Sequence, residues 1–196
     1  VAQVRRITGE RRVGHAGTLD PAATGVLVLC VGAATRIVEY LDDLAKTYVG
    51  TILFGVETDT WDAEGSLLME RDAGALSMAQ LLEILPRYTG EILQIPPMYS
   101  ALKRHGTPLY RLARRGEVVE REPRPVSISG LTVRAWTPPR LELEIVCSKG
   151  TYIRSLAHDL GEEAGTGACL ERLRRTAIGP FILYRAVTLD QLEQKG

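Results

Sequence analysis

The chain has 196 residues, 45% of them apolar, with 24 basic residues balanced by 24 acidic ones. This is the composition of an ordinary folded protein, which excludes disorder and fibrous classes, and one core can hold most of a chain of this size. No run approaches the roughly 18 apolar residues of a membrane span, and no charged start precedes an apolar stretch, so neither a membrane segment nor a signal peptide is expected and the location reads as cytoplasmic.

In chain order, Val1 to Arg12 reads as the end of a helix, and Gly14 to Pro21 as a loop, because two glycines, Thr18 and an Asp-Pro step are turn chemistry. Val26 to Val31 is a short apolar run, a buried strand or a helix start. Thr35 to Leu44 reads as a helix behind a Thr35 cap, with Ile37, Val38, Leu41 and Leu44 at helical spacing. Thr47 to Phe54 is rich in strand formers. Ser77 to Tyr88 is an amphipathic helix behind a Ser cap, and Leu109 to Arg115 a short basic helix. Val126 to Ala135 and Leu141 to Cys147 flank the turn Thr137-Pro138-Pro139-Arg140 and form an antiparallel pair. The alternation of Leu141 to Val146 is that of a sheet with one wet face. Tyr152 to Ala164 is a third helix ended by Gly165, and Thr188 to Lys195 is helix-like. Strands and helices interleave without strict βαβ periodicity. The fold class is therefore α+β, with a mixed, largely antiparallel central sheet flanked by helices and loops.

Cys30, Cys147 and Cys169 are odd in number, far apart and set among apolar neighbours, the pattern of reduced buried thiols. The zero net charge hides an uneven distribution. From Lys103 to Arg124 there are seven basic residues (Lys103, Arg104, Arg111, Arg114, Arg115, Arg121 and Arg124) against Glu117, Glu120 and Glu122. Arg172, Arg174 and Arg175, and Arg5, Arg6, Arg11 and Arg12, form two more clusters. From Glu57 to Asp72 the sign reverses, with six acids against Arg71. Separated signs suggest a positive face suited to a phosphate-bearing partner, although solvated helix faces would produce the same tally.

Pro21 disfavours helical backbone at Asp20, and Gly17-Thr18 helps hold a sharp loop, so the carboxylate is displayed. Taken locally, this describes most Asp-Pro turns and does not require catalysis. No Gly-Lys-Ser or Gly-Lys-Thr follows the glycines, so the loop is not a phosphate cradle. His15 and Asp20 are too few for a metal, His105 and His158 lie elsewhere, and the cysteines lack a close pair. The acidic segment Thr60 to Gly65 resembles a calcium loop but offers Thr first and Arg71 where a bidentate Glu is needed. No metal is expected, and no Gly-x-Ser-x-Gly elbow supports a serine hydrolase.

Several segments together resemble one family, the bacterial tRNA pseudouridine-55 synthases (TruB family). Gly14 to Leu27, GHAGTLDPAATGVL, matches its catalytic motif almost letter for letter. Lys46-Thr47-Tyr48 with the Thr58 to Gly65 loop is similar to a second motif, Gln94 to Lys103 to a third, Cys147 to Ser155 to a fourth, and Leu173-Arg174-Arg175 to a last. Five motifs in the right order across nearly the whole chain are far more specific than any one of them.

The resemblance implies an isomerase that converts uridine 55 in the tRNA T-loop to pseudouridine, without cofactor or metal. It makes Asp20 the nucleophile, attacking C1′ of the ribose or C6 of the base, and Arg154 its ion-pair partner. Tyr48 becomes the platform on which the flipped uracil stacks, Leu173 and Tyr152 further pocket walls, and His15 the side chain that fills the gap left in the RNA loop. Lys103, Arg104, Arg111, Arg114 and Arg115 become contacts to the tRNA phosphates of the T-loop and T-stem. By themselves Tyr48 and Leu173 would read as core, His15 as a loop histidine and Arg154 as a surface residue.

The family's N-terminal Lys-Pro-x-Gly-x-Thr-Ser segment and its small C-terminal PUA-type domain have no counterpart here, so a single catalytic domain over 1–196 is expected. No obligate protein partner is implied, and a monomer is expected. Two alternatives stay open: a tRNA-elbow binding and folding module without chemistry, and a pseudouridine synthase acting on another RNA.

Overall fold

The structure, a computed structural model, describes residues 1–194. Helix α1 (Ala2–Thr8) stops at Gly9, which takes the left-handed conformation common at helix ends. Strand β1 (Val13–Ala16) follows, then β2 (Thr24–Gly25) and β3 (Val28–Val31). The expected loop therefore begins later than its glycines suggested. Gly14, His15 and Ala16 pair with Cys30, Leu29 and Val28 in an antiparallel ribbon, so backbone pairing with the next apolar run overrides their turn propensity. That run is accordingly a strand. The helix expected over Thr35 to Leu44 is split into a 3-10 turn (Gly32–Ile37) and α2 (Val38–Asp42). Thr35 is not its cap, because its hydroxyl donates back to the Gly32 carbonyl at 2.8 Å.

Next come β4 (Lys46–Phe54), β5 (Val56–Thr58), β6 (Leu67–Glu70), and α3 (Met78–Ile84). Ser77 caps α3 in a reciprocal box with Gln80, as its sequence predicts. After β7 (Gly90–Gln94), the small hairpin β8 (Lys103–Arg104) and β9 (Thr107–Pro108) leads into the short helix α4 (Leu109–Ala113). The predicted antiparallel pair is β10 (Arg124–Thr137) with β11 (Arg140–Cys147). Helix α5 (Ile153–Glu163), β12 (Ala168–Ile178), β13 (Phe181–Ile182) and α6 (Leu189–Glu193) complete the chain. Of the helix-like stretch ending at Lys195, that last residue lies outside the described residues.

One seven-stranded sheet organises the molecule in the order β13-β12-β4-β11-β10-β7, with β2 added to β12. Every pairing in it is antiparallel except β2 with β12, so the sheet is mixed and largely antiparallel as expected. The alternation in β11 holds: Leu141, Leu143, Ile145 and Cys147 are buried while Glu142, Glu144 and Val146 stay half-buried on the other face. Helix α5 lays Ile153, Leu156, Ala157 and Leu160 on the apolar face against Ile52 and Phe54 of β4. A buried Ile or Leu contributes roughly 1.5–3 kcal/mol, so α5 is a firmly docked support for whatever its first turn carries. Cys30, Cys147 and Cys169 are free and buried. No helix among the described residues is long and apolar enough to cross a membrane.

The long strand β12 has no counterpart among the elements expected from the sequence. It sits between β4 and β13 inside the sheet, and it removes Arg175 from the basic surface cluster expected of Arg172, Arg174 and Arg175. Arg175 is only 1% exposed, because strand alternation puts it on the inward face with Leu173 while Arg172 and Arg174 face solvent.

Candidate active site

Asp20 follows the β1 strand in a tight turn in which the Ala23 amide donates to the Asp20 carbonyl at 2.9 Å. Buried Arg175 holds this turn from beneath. Its Nη2 donates to the Gly17 carbonyl at 2.9 Å, its Nη1 to Thr18 at 3.3 Å and its Nε to Val26 at 2.8 Å. One planar guanidinium thus ties both ends of the loop to β12, which a lysine could not do. Gly17 is at φ 72°, so the chain leaves the strand through a conformation that glycine adopts at little cost.

The carboxylate of Asp20 meets Arg154 on the first turn of α5. Nε donates to Oδ2 at 2.8 Å and Nη2 to Oδ1 at 3.0 Å, a two-pronged contact between residues 134 positions apart. Arg154 is buried, whereas the Asp20 side chain keeps 37% of its surface open. The cation is therefore fixed in the protein while the anion faces the cleft. Arg154 is itself held by the Thr60 carbonyl at 3.2 Å and the Tyr99 carbonyl at 3.0 Å, with Asp62 Oδ2 3.6 Å from Nε. An isolated buried charge would be costly, and these acceptors offset that cost. Asp62, unassigned in the sequence reading, is a second carboxylate at the pair, and it accepts from the Thr60 hydroxyl at 2.6 Å.

Asp20, Asp62, Arg154 and Leu173 line one small cleft with Ala22 and Leu170. Leu173 lies over Gly50 on β4, where no side chain blocks it. Tyr48 stands two residues before Gly50 on the same strand, paired with Arg175, whose guanidinium carbon is 6.0 Å from its ring centroid. Burial pushes the phenols of Tyr48 and Tyr152 up from their ordinary values, and the charge of Asp20 adds to both in the same direction. The backbone of Tyr152 is locked to buried Gln94, which accepts from its amide at 2.8 Å and donates to its carbonyl at 3.0 Å.

His15 is not in this cleft. It is exposed on β1 at a neighbouring concavity with Gly17, Thr18, Thr35, Arg36 and Asp42. Lys103, Arg104, Arg111, Arg114 and Arg115 are all exposed, on the β8–β9 hairpin and α4, above a separate small core of Met98, Leu109 and Leu112. That segment is rooted at Tyr99, whose carbonyl touches Arg154. Arg104 and Arg115 are partly engaged, with the Glu120 carbonyl at 2.7 Å and the Glu117 carboxylate at 2.8 Å.

A carboxylate displayed on a turn and paired with a buried arginine of α5 fits comparison with known proteins. Residues 5–153 match the model of the TruB family pseudouridylate synthase N-terminal domain, and residues 154–195 that of the tRNA pseudouridylate synthase B C-terminal domain. The chain belongs to the TruB family. It is 53% identical to tRNA pseudouridine synthase B of Stutzerimonas stutzeri and 51% identical to that of Pseudomonas aeruginosa, each over 98% of this chain. The chain spans 63% of the length of these curated relatives. Among solved structures it resembles a Cbf5-Nop10-Gar1 complex at TM-score 0.71 and 29% identity, over 92% of this chain and 44% of that one. It also resembles an H/ACA RNP bound to a substrate RNA containing 2′-deoxyuridine, at TM-score 0.72 and 25% identity, over 98% and 47%.

Proposed function

We propose that this chain isomerises uridine to pseudouridine in the T-loop of tRNA, at position 55, with Asp20 as the nucleophile and no cofactor. The observation that carries the proposal is the two-pronged Arg154–Asp20 pair, which holds a half-open carboxylate in place and aimed into the cleft. A carboxylate can add to an electron-poor carbon and leave again. Attack at C1′ of the ribose or C6 of the uracil allows the C1′–N1 bond to break and the base to turn. A C1′–C5 bond then forms, the C5 proton leaves and N1 gains one, so product and substrate are isomers.

The uracil reaches Asp20 by leaving its stack, at a cost of a few kcal/mol. Tyr48 stacks on the flipped base, which returns about 1–3 kcal/mol. Leu173 and Tyr152 close the pocket, and His15, exposed just outside it, occupies the space the base has left. Lys103, Arg104, Arg111, Arg114 and Arg115 contact phosphates, which position the RNA without reading bases, and folded loop shape selects the T-loop. The chain acts in the cytoplasm as a monomer, and its single catalytic domain runs over 1–196. Identity above 50% to relatives named tRNA pseudouridine synthase B favours tRNA over another RNA as the substrate.

The test is pseudouridine mapping on an unmodified tRNA transcript, with Asp20→Asn beside the wild type. Turnover should fall by more than about a thousandfold while tRNA binding is kept. Pseudouridine formed by Asp20→Asn at an appreciable rate would remove Asp20 from the mechanism, and binding without any turnover in the wild type would favour the non-catalytic tRNA-elbow module.

A further inference from the structure

Trp61 stands in the left-handed region at φ 62°, a conformation uncommon for any residue with a Cβ and unusual for a bulky one. Backbone of this kind persists where the surroundings impose it, and it concentrates at functional sites. Both neighbours of Trp61 touch Arg154: the Thr60 carbonyl accepts from Nη1 at 3.2 Å, and Asp62 Oδ2 lies 3.6 Å from Nε. The turn is stitched to β12 on either side of Asp62, by Leu170 N to Trp61 O and Ala63 N to Leu170 O, both 3.0 Å. The indole stacks on the His158 ring with centroids 4.3 Å apart and planes 7° from parallel, and the Arg121 guanidinium carbon is 5.2 Å from the indole centroid. His158 follows Arg154 by one turn on α5, on the same helix face. The helix that carries the arginine therefore also grips the loop that orients it.

We infer that Trp61 is a positioning residue for Arg154. Its stack on His158 holds the Thr60-Trp61-Asp62 backbone in the left-handed turn that presents the Thr60 carbonyl and the Asp62 carboxylate to the guanidinium, and so fixes the fork that Arg154 offers Asp20. The inference rests on the proposed role of Asp20 in pseudouridine formation. It separates the two things a tryptophan contributes here, because glycine adopts the turn more easily but cannot stack, whereas phenylalanine keeps a stacking face.

The experiment compares single-turnover pseudouridine formation, affinity for an unmodified tRNA transcript and thermal midpoint in wild type, Trp61→Gly, Trp61→Phe and His158→Leu. Misplacement of a reacting group by about 1 Å can cost roughly a hundredfold. Trp61→Gly should therefore lose about ten- to a hundredfold in rate, with tRNA affinity nearly unchanged. Trp61→Phe should recover most of the rate. His158→Leu removes the stacking partner while leaving Trp61 itself in place and should slow the reaction in the same way, which keeps the inference testable if Trp61→Gly does not fold. Wild-type turnover in either folded stack-less variant overturns the inference, as does a joint loss of rate and affinity that phenylalanine fails to rescue. Absence of turnover in the wild type would instead refute the underlying function.

Discussion

Arg175 donates from Nη2 to the Gly17 carbonyl at 2.9 Å while its own carbonyl accepts from the Val26 amide at 2.9 Å, so one residue of β12 holds both ends of the Asp20 loop. Arg175→Met would keep the volume and leave the Gly17, Thr18 and Val26 carbonyls without that donor. Each unsatisfied buried acceptor costs about 1–3 kcal/mol. We expect a loss of roughly 2–4 kcal/mol in denaturant unfolding together with slower turnover. Arg175→Lys should rescue little of either, because a point charge cannot bridge three carbonyls in one plane. Full activity in Arg175→Lys would show that the loop keeps its shape without the guanidinium.

The same contact makes Gly25 indispensable. It stands at φ 106°, and a Cβ there would come within 2.1 Å of the Arg175 carbonyl oxygen. Because that atom is backbone, nothing can yield cheaply. Gly25→Ala should lose at least about 2 kcal/mol, read as a lowered denaturant midpoint, and a midpoint equal to wild type would mean that β2 is not needed beside β12.

Much of this could be read before any coordinates. The Asp20 turn, the capped helix at Ser77 and the β10–β11 pair follow from local chemistry, and α5 follows from its periodicity. The union of Asp20 and Arg154, 134 positions apart, came only from the order of the motifs. What stayed hidden has physical causes. Strand β12 carries register shifts between Leu170 and Arg172 and between Arg175 and Ala177. Each shift resets the two-residue period by which strands announce themselves. For the same reason Arg175 counted as one of three surface cations, although its environment is a set of carbonyls. Trp61 and Asp62 lay in a segment whose acids suggested, and then failed, a calcium loop, since composition says nothing about a positive φ.

The basic segment should act on RNA affinity and not on chemistry. Lys103, Arg111 and Arg114 have no carboxylate partner among the described residues, although Arg114 lies over the Tyr110 ring at 5.5 Å. Each phosphate neutralised contributes about 0.7–0.9 to the slope of log affinity against log salt. Replacing these three with Ala should reduce that slope by about 2–3 and weaken tRNA binding, while the rate at saturating enzyme in single turnover stays near wild type. An unchanged slope would place the RNA on another face.

Asp159, next on α5 after His158, provides a pH-dependent test of the scaffold. Burial, with a smaller contribution from the charge of Glu162, pushes its carboxyl up from 3.8 to about 6. Between these values the folded protein holds a proton that the unfolded chain releases. Stability is therefore lost as pH rises through the window, since it increases with pH only where the unfolded state binds more protons. Asp159→Asn fixes the neutral form with nearly the same shape. The variant should melt higher than wild type above pH 6, and the gain should shrink to nothing as pH falls toward 3.8. Thermal melts across that range decide the matter: a gain that is constant with pH would trace to packing, and no gain at neutral pH would mean that water reaches the carboxylate on α5.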